Sequence, residues 1–218
     1  MYSVKSVFYT LQGEGFHTGR PAIFCRFSGC NLWSGLEKHR STAACTFCDT
    51  DFRGTDGPGG GKFSSAAALA EHISTFWQEK SDVAPFIVCT GGEPLLQLDQ
   101  LLIDTLHDRG FEIAVETNGT QRPPQGIDWI TVSPKGKQDV VLTECDELKL
   151  VFPQVDAMPD KFVNIKARYY YLTPLAPPKA DSNTRLYRDQ YTRDTISYCL
   201  QHPKWRLNLQ THKVIDID

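Results

Sequence analysis

Short apolar runs alternate with polar, glycine-rich turns along this chain, and two periods can be read in them. Residues 3–12 and 22–27 alternate or run apolar as strands do, with Gly13, Gly15, Gly19 and Pro21 punctuating the gap. Cys25 and Arg26 are neighbours on the second strand and so face opposite sides. Ser64 or Ser65 is placed to cap a helix whose apolar face is Leu69, Ile73, Phe76 and Trp77. Residues 86–90 form a short buried strand that runs into Gly91-Gly92-Glu93-Pro94. A second helix carries Leu98, Leu101, Leu102 and Leu106 and stops at Gly110, an expected left-handed cap. Strands are predicted at 111–117, 127–132, 148–152 and 169–172, a helix in the later part of 181–201, and a closing strand at 205–210.

Strands alternating with helices predict βαβ units and a parallel α/β sheet. Too few helices lie between 119 and 180 for a full eight-unit barrel, so the expected fold is a truncated, incomplete (β/α) barrel. In such sheets functional groups collect at the carboxyl ends of the strands. Polar clusters stand at those ends: Thr90 to Glu93, Glu116 to Asn118, Ser133-Pro134-Lys135 and Gln210-Thr211-His212.

Size and charge narrow the classes. At 218 residues the chain is expected to be one domain, 1–218, and 40% hydrophobic residues suffice for a core. A formal charge of −3 leaves no electrostatic footprint for nucleic acid or an anionic membrane. No apolar run approaches the roughly 18–20 residues of a membrane span. The first residues lack the pattern of a signal peptide, so a cytoplasmic location is expected, with the seven cysteines as thiols or metal ligands.

Three of those cysteines stand in one stretch, with fourteen residues between Cys30 and Cys45 and two between Cys45 and Cys48. Gly29, Asn31, Ser34 and Gly35 supply turn chemistry for the return of the loop. Iron–sulfur clusters usually take four thiolates, so three would leave one iron open to a ligand that is not protein. The competing reading is a structural zinc site with His39 or His17 as fourth ligand. Cys25, Cys89 and Cys199 sit in apolar runs and are expected in the core, whereas Cys145 lies in a polar segment and is expected to be exposed. Residues 56–62 (DGPGGGK) suit a flexible surface turn and lack the phosphate-loop spacing. The Gly91-Gly92 pair suits a plain strand-to-helix turn, or the close approach of a ligand to backbone. No GxSxG elbow is present, which argues against serine hydrolase chemistry.

Taken together, Glu14-Gly15, the Cys45-Thr46-Phe47-Cys48 turn, Gly91-Gly92-Glu93-Pro94 and Glu116-Thr117-Asn118-Gly119 resemble the radical S-adenosylmethionine superfamily. The superfamily's usual CxxxCxxC is replaced here by the long first loop. That departure, with FYTLQGEG at 8–15, FCRFSGCNLW at 24–33, CTFCDTDF at 45–52, VCTGGEPLLQLD at 88–99 and WRLNLQTHK at 205–213, is similar to the 7-carboxy-7-deazaguanine synthase family. The resemblance implies a [4Fe-4S] cluster on Cys30, Cys45 and Cys48. S-adenosylmethionine would chelate its fourth iron and be cleaved to a 5′-deoxyadenosyl radical. It places Phe47, Cys48 and Asp49 along the cofactor and Gly91, Gly92 and Glu93 at its ammonium. Glu116, Asn118, Ser133, Pro134 and Lys135 are implied at its ribose and carboxylate.

The family's substrate is 6-carboxy-5,6,7,8-tetrahydropterin, and Leu11, Gln12, Gly13, Glu14, Arg26 and Thr90 match the positions that hold it. Arg26 suits a carboxylate as a fixed, forked cation. Thr50 matches a ligand of Mg²⁺, a hard cation that takes oxygen donors. Related sequences often carry Gln-Pro where this chain has Thr173-Pro174, so that part of the nucleotide pocket departs from the pattern. Family chains also end just after the QTHK motif, whereas this one continues to Asp218, whose carboxylate is expected at the substrate. The C-terminal strand and tail, 205–218, would close the active site. An electron donor such as a flavodoxin and a homodimer are implied as partners. Two rivals are an activating enzyme that takes a hydrogen from a glycine of a partner protein, and a zinc-stapled binding domain.

Overall fold

The computed structural model describes residues 1–77, 83–175 and 190–217. Its frame, among the described residues, is one nine-stranded sheet in the order β3-β1-β2-β4-β5-β6-β7-β8-β9. The strands are β1 (Tyr2–Leu11), β2 (Pro21–Phe27), β3 (Gly61–Phe63), β4 (Phe86–Gly91), β5 (Glu112–Thr117), β6 (Trp129–Val132), β7 (Glu144–Phe152), β8 (Lys166–Pro174) and β9 (Arg206–Leu207). β1 runs antiparallel to β2 and β3, and from β2 to β9 every neighbour is parallel. The sheet stays open, with β3 and β9 as its edges, so the expected incomplete barrel is what forms.

The alternation of each strand decides which face it buries. Ile23, Cys25, Phe27, Ile87, Cys89, Ile113 and Val115 pack outward against helices α1 (Ala66–Ser74) and α2 (Gln100–His107). Each such large aliphatic side chain is worth about 1.5–3 kcal/mol when fully buried. A second cluster joins Val132, Leu148, Leu150, Phe152 and Leu172 to α3 (Gln190–Gln201) through Tyr198 and Cys199. The opposite face is narrower, with Ala22, Phe86, Val88, Ala114 and Trp129 lining the inside of the curl. Arg26 is therefore turned inward while Cys25 is turned into the core.

Several expectations needed correction. Helix α1 starts at the cap Ser65, whose hydroxyl accepts from Ala68 N, but it ends at Ser74, so Phe76 and Trp77 pack on the core from beyond the helix. In α2 Leu101 is 63% exposed and Ile103 takes the buried place. The phase is set by the cap: Asp99 accepts from Leu102 N at 3.0 Å and from the Tyr2 hydroxyl at 2.8 Å, which turns residues 102, 103 and 106 to the sheet. Gly110 (φ 80) closes that helix with Gly110 N donating to His107 O and Phe111 N to Leu106 O, the paired bonds of a Schellman ending. The 56–62 turn is bonded to β1 instead of lying free, with Gly57 N on Lys5 O and Val7 N on Pro58 O. A Cβ at Gly60 would stand 2.2 Å from Lys5 O, so glycine is needed there for the approach itself. Cys145 and Cys199 are both half-buried against the second cluster. The predicted strand at 205–210 shrinks to Arg206–Leu207, after which the chain turns into the short helix α4 (Thr211–Ile215). Asn208 enforces the turn by donating to Thr173 Oγ1 at 2.8 Å and accepting from Gly15 N at 2.7 Å. Of the span 181–201, residues before 190 lie outside the described part, as does Asp218. No helix among the described residues is long and apolar enough to cross a membrane.

Candidate active site

A cavity of about 560 Å³ opens inside the curl at the carboxyl ends of the strands. β1 brings Leu11 to it, with Gln12 and Glu14 following, and β2 brings Arg26. The end of β4 adds Thr90, Gly91 and Gly92, and the end of β5 adds Glu116 and Asn118. Ser133 and Lys135 follow β6, and Thr173 and Pro174 end β8. The cysteine loop covers the rim, so that Cys30, Cys45, Phe47, Cys48, Asp49 and Thr50 face the same space. Residues spread across the whole sequence are thus gathered by one strand topology.

Three expected positions are placed differently. Glu93 is fully buried, and its carboxylate accepts from Thr117 Oγ1 at 2.7 Å, Asn118 N at 2.8 Å and Leu95 N at 3.0 Å. Burial pushes its carboxyl up, against the pull of those donors. It ties the turn after β4 to the end of β5 and shapes the floor of the cavity without lining it. Gly13 packs under α4, where Thr211 N donates to its carbonyl at 2.9 Å and a Cβ would stand 2.2 Å from His212 Nδ1. Pro134 turns its carbonyl to Gln154 Nε2 at 3.4 Å. The Gly91-Gly92 pair allows close contact between loops: a Cβ on Gly92 would lie 2.2 Å from Gly29 O, one residue before Cys30.

The cysteines differ in character. Burial raises the Cys30 thiol, whose Sγ accepts from Leu32 N at 3.4 Å. Cys45 and Cys48 share a hydrogen bond that lowers Cys48 to about 6 and raises Cys45. Arg40, from inside the fourteen-residue loop, donates to the carbonyls of Thr46 and Cys48, both at 3.0 Å, while its guanidinium lies 4.2 Å from the Trp33 ring centroid. The turn is thus braced by its own loop.

Polar residues of the cavity that were not singled out as site residues from the sequence include Lys149, Gln210, His212 and Lys213. Lys149, on β7, is 5% exposed and sits between Glu14 (2.9 Å) and Glu116 (2.8 Å). Its only signal in the sequence is a lysine inside the apolar run LKLVF. Gln210, His212 and Lys213 come from α4 and the turn before it. Gln210 Nε2 donates to Glu14 Oε1 at 2.9 Å, and Lys213 pairs with Asp49 at 2.5 Å. Burial pushes the Glu14 carboxyl up, but the Lys149 ammonium and the Gln210 amide outweigh it and bring it to about 2. Burial lowers Lys135, whose ammonium donates to Ser133 Oγ. Arg26 is half-buried, and its guanidinium makes no hydrogen bond to any described residue, so its fork is open to a ligand.

No protein-family model matches the chain. Its relatives are nonetheless clear: the 7-carboxy-7-deazaguanine synthase of Bordetella pertussis is 55% identical over 216 residues, covering 99% of both chains. The enzyme of the same name from Caulobacter vibrioides is also 55% identical over the same share. This chain belongs to the 7-carboxy-7-deazaguanine synthase family. The crystal structure of QueE from Escherichia coli superposes with a TM-score of 0.68 at 27% identity, over 97% of this chain and 94% of that one.

The donor set can be tested against the group that this family reading asks for. Three thiols of one loop open onto one cavity, and among the described residues no three His, Cys, Asp or Glu side chains are closed around a metal position. The histidines weighed for a zinc site are engaged elsewhere. His39 Nδ1 bonds Ser34 Oγ at 2.8 Å, and the His17 ring lies among Phe16, Phe86 and Trp129. Three cysteines that open onto one cavity match in number the thiolates that a cluster with one open iron takes from the protein.

Proposed function

We propose that this chain converts 6-carboxy-5,6,7,8-tetrahydropterin to 7-carboxy-7-deazaguanine, contracting the ring with loss of ammonia, in the biosynthesis of queuosine. The observation that carries the reading is that Cys30, Cys45 and Cys48 face Glu14, Arg26 and Thr90 across one cavity. Cys30, Cys45 and Cys48 would hold the [4Fe-4S] cluster, and Gly91, Gly92, Glu116, Asn118, Ser133 and Lys135 would hold S-adenosylmethionine beside it. When bound, cluster and S-adenosylmethionine supply the one-electron chemistry that no side chain offers.

The protein's part is placement. Arg26 offers two parallel N–H groups to the pterin carboxylate. Glu14, ionised throughout the working range, accepts from the pterin N–H groups, with Leu11 and Gln12 beside it. Thr50 would hold Mg²⁺ through its hydroxyl, and the bound cation would offset the charge of the substrate carboxylate. α4 lies against this wall through Gln210 and Lys213, which supports a closing role for residues 205–218. Residues 1–218 act as one radical S-adenosylmethionine domain, in the cytoplasm, as a homodimer fed by a flavodoxin-type donor.

The test is anaerobic reconstitution with iron and sulfide, reduction, and addition of S-adenosylmethionine, Mg²⁺ and the pterin, with product and ammonia read by mass spectrometry. Product without any protein partner supports the reading and excludes a glycyl-radical activating role. A cluster that yields only 5′-deoxyadenosine discards the substrate, and a colourless zinc protein discards the class. Arg26→Ala weakens pterin binding by about 1.5–3 kcal/mol, the scale of a hydrogen bond to a charged group, and leaves S-adenosylmethionine cleavage in place.

A further inference from the structure

In the wall of the cavity lies a set of charges whose pairing neither the sequence motifs nor the proposed roles explain. Lys149 Nζ stands 2.9 Å from Glu14 Oε2, 2.8 Å from Glu116 Oε2 and 3.1 Å from Glu116 Oε1. The two carboxylates come from distant parts of the chain, Glu14 from the loop after β1 and Glu116 from β5. Gln210 Nε2 donates to Glu14 Oε1 at 2.9 Å, and Gln12 Nε2 to Glu116 Oε1 at 3.4 Å. We infer that Lys149 is the positioning residue that holds Glu14 and Glu116 as one rigid pair at the junction of the pterin and S-adenosylmethionine sites. The inference rests on the roles proposed above for those two carboxylates.

The sheet register explains how one lysine serves both. Thr131 pairs with Glu116 on one side and with Glu147 on the other, so β6 stands between Glu116 and β7. Two strand spacings amount to about 9–10 Å, a gap that a four-carbon stem spans across a small residue such as Thr131. Lys149, two residues beyond Glu147 on the same face, is thus the side chain of β7 that reaches Glu116 and Glu14 together. Burying an ammonium costs several kcal/mol unless it is paired, and here two carboxylates pair it. An ammonium so committed cannot swing into solvent. It fixes the oxygens of Glu14 and Glu116 in place before any ligand arrives, which is the preorganisation a binding site gains from.

Without Lys149, Glu14 and Glu116 would be two carboxylates facing each other in a buried site. One of them would then take up a proton. The other charged groups around the pair are Glu147 on β7, Arg26 on β2, Lys135 after β6 and His212 on α4, and none of them forms a hydrogen bond to either carboxylate. Losing Lys149 therefore removes the ammonium that bonds both carboxylates.

The test uses the reconstituted holoenzyme without reductant, so that pterin binding is measured without turnover. Wild-type turnover checks the proposed function separately: if it makes no product, that reading fails, whatever the variants do. With wild type active, Lys149→Met keeps the iron and sulfide content but weakens pterin binding roughly 30-fold or more, the scale for truncating one partner of a buried charge pair. It also moves the acid limb of the kcat/KM profile to higher pH, and Lys149→Arg, which retains the cation, moves it back. In a cycle with Glu14→Gln, the double variant binds pterin about as well as the worse single, because both changes break one interaction. An unmoved acid limb, or losses that simply multiply, would overturn the inference. If Lys149→Met does not fold, Lys149→Gln, which also removes the cation but stays polar, takes its place in the same cycle.

Discussion

The cysteine loop and the charge set around Lys149 face each other across one cavity, yet they are opposite kinds of structure. The 3₁₀ turn of the loop, Glu37–Thr42, buries no residue at all, and the loop's three cysteines open onto the cavity. Lys149 is buried, and all its charge is met by Glu14 and Glu116. One region turns its thiols toward open space, whereas the other has its charges paired within the protein. The contrast teaches that this site divides its labour: reactivity is held at an open rim and geometry at a closed floor.

That division can be pressed, beginning where the effect is greatest. Cys45→Ser removes a thiolate that nothing else in the loop can replace, so the reconstituted protein loses its brown absorbance while the melting temperature of the apo-protein stays near wild type. A large drop in the apo-protein would mean that the loop is part of the core after all. Lys149→Met should do the reverse, keeping colour and losing the pterin.

A pH effect comes next. Burial raises the Glu147 carboxyl to about 7, with the Lys149 ammonium pulling the other way. Its folded pKa thus lies above the ordinary value of about 4.5, so the folded state holds the extra proton between those limits. Stability from this group is full below about pH 4.5 and falls as pH rises through 7, by about 3 kcal/mol in all. Glu147→Gln keeps an oxygen for Phe16 N, now 2.9 Å from the carboxylate, and removes the titration. The variant should therefore melt higher than wild type at pH 8 and equally at pH 5. A constant difference at both would place the effect elsewhere.

The smallest effect belongs to the exposed loop. Arg40→Met takes away the donors to Thr46 O and Cys48 O. Folding should hardly change, but iron release to a chelator should quicken a few-fold as the Cys45–Cys48 turn loosens. Release at the wild-type rate would show that the turn needs no brace.

What could be read from residues alone followed a simple rule. The cysteine spacing, the Gly91-Gly92 turn and the strand-end polar clusters are local patterns, and local patterns survive in one dimension. The phase of α2 was not local: Leu101 and Ile103 compete for the same stripe, and the choice was made by Asp99 bonding both Leu102 N and Tyr2. The family resemblance put Glu93 at the ligand, but its carboxylate is turned away from the cavity to three donors at 95, 117 and 118. The closing strand stops at Leu207 because Asn208 is claimed by Thr173 and Gly15, and the chain then turns into α4.

By itself, then, the sequence determined the parallel βαβ character of the fold, the three-cysteine pattern of the loop and the family, since each depends on residue type and spacing along the chain. Only the tertiary structure decided that Lys149 joins Glu14 to Glu116, that Glu93 lies beneath the floor and that α4 walls the cavity. These are contacts between residues far apart in sequence. Their energies depend on burial and on distances of about 3 Å, the range of a hydrogen bond, which no one-dimensional pattern carries.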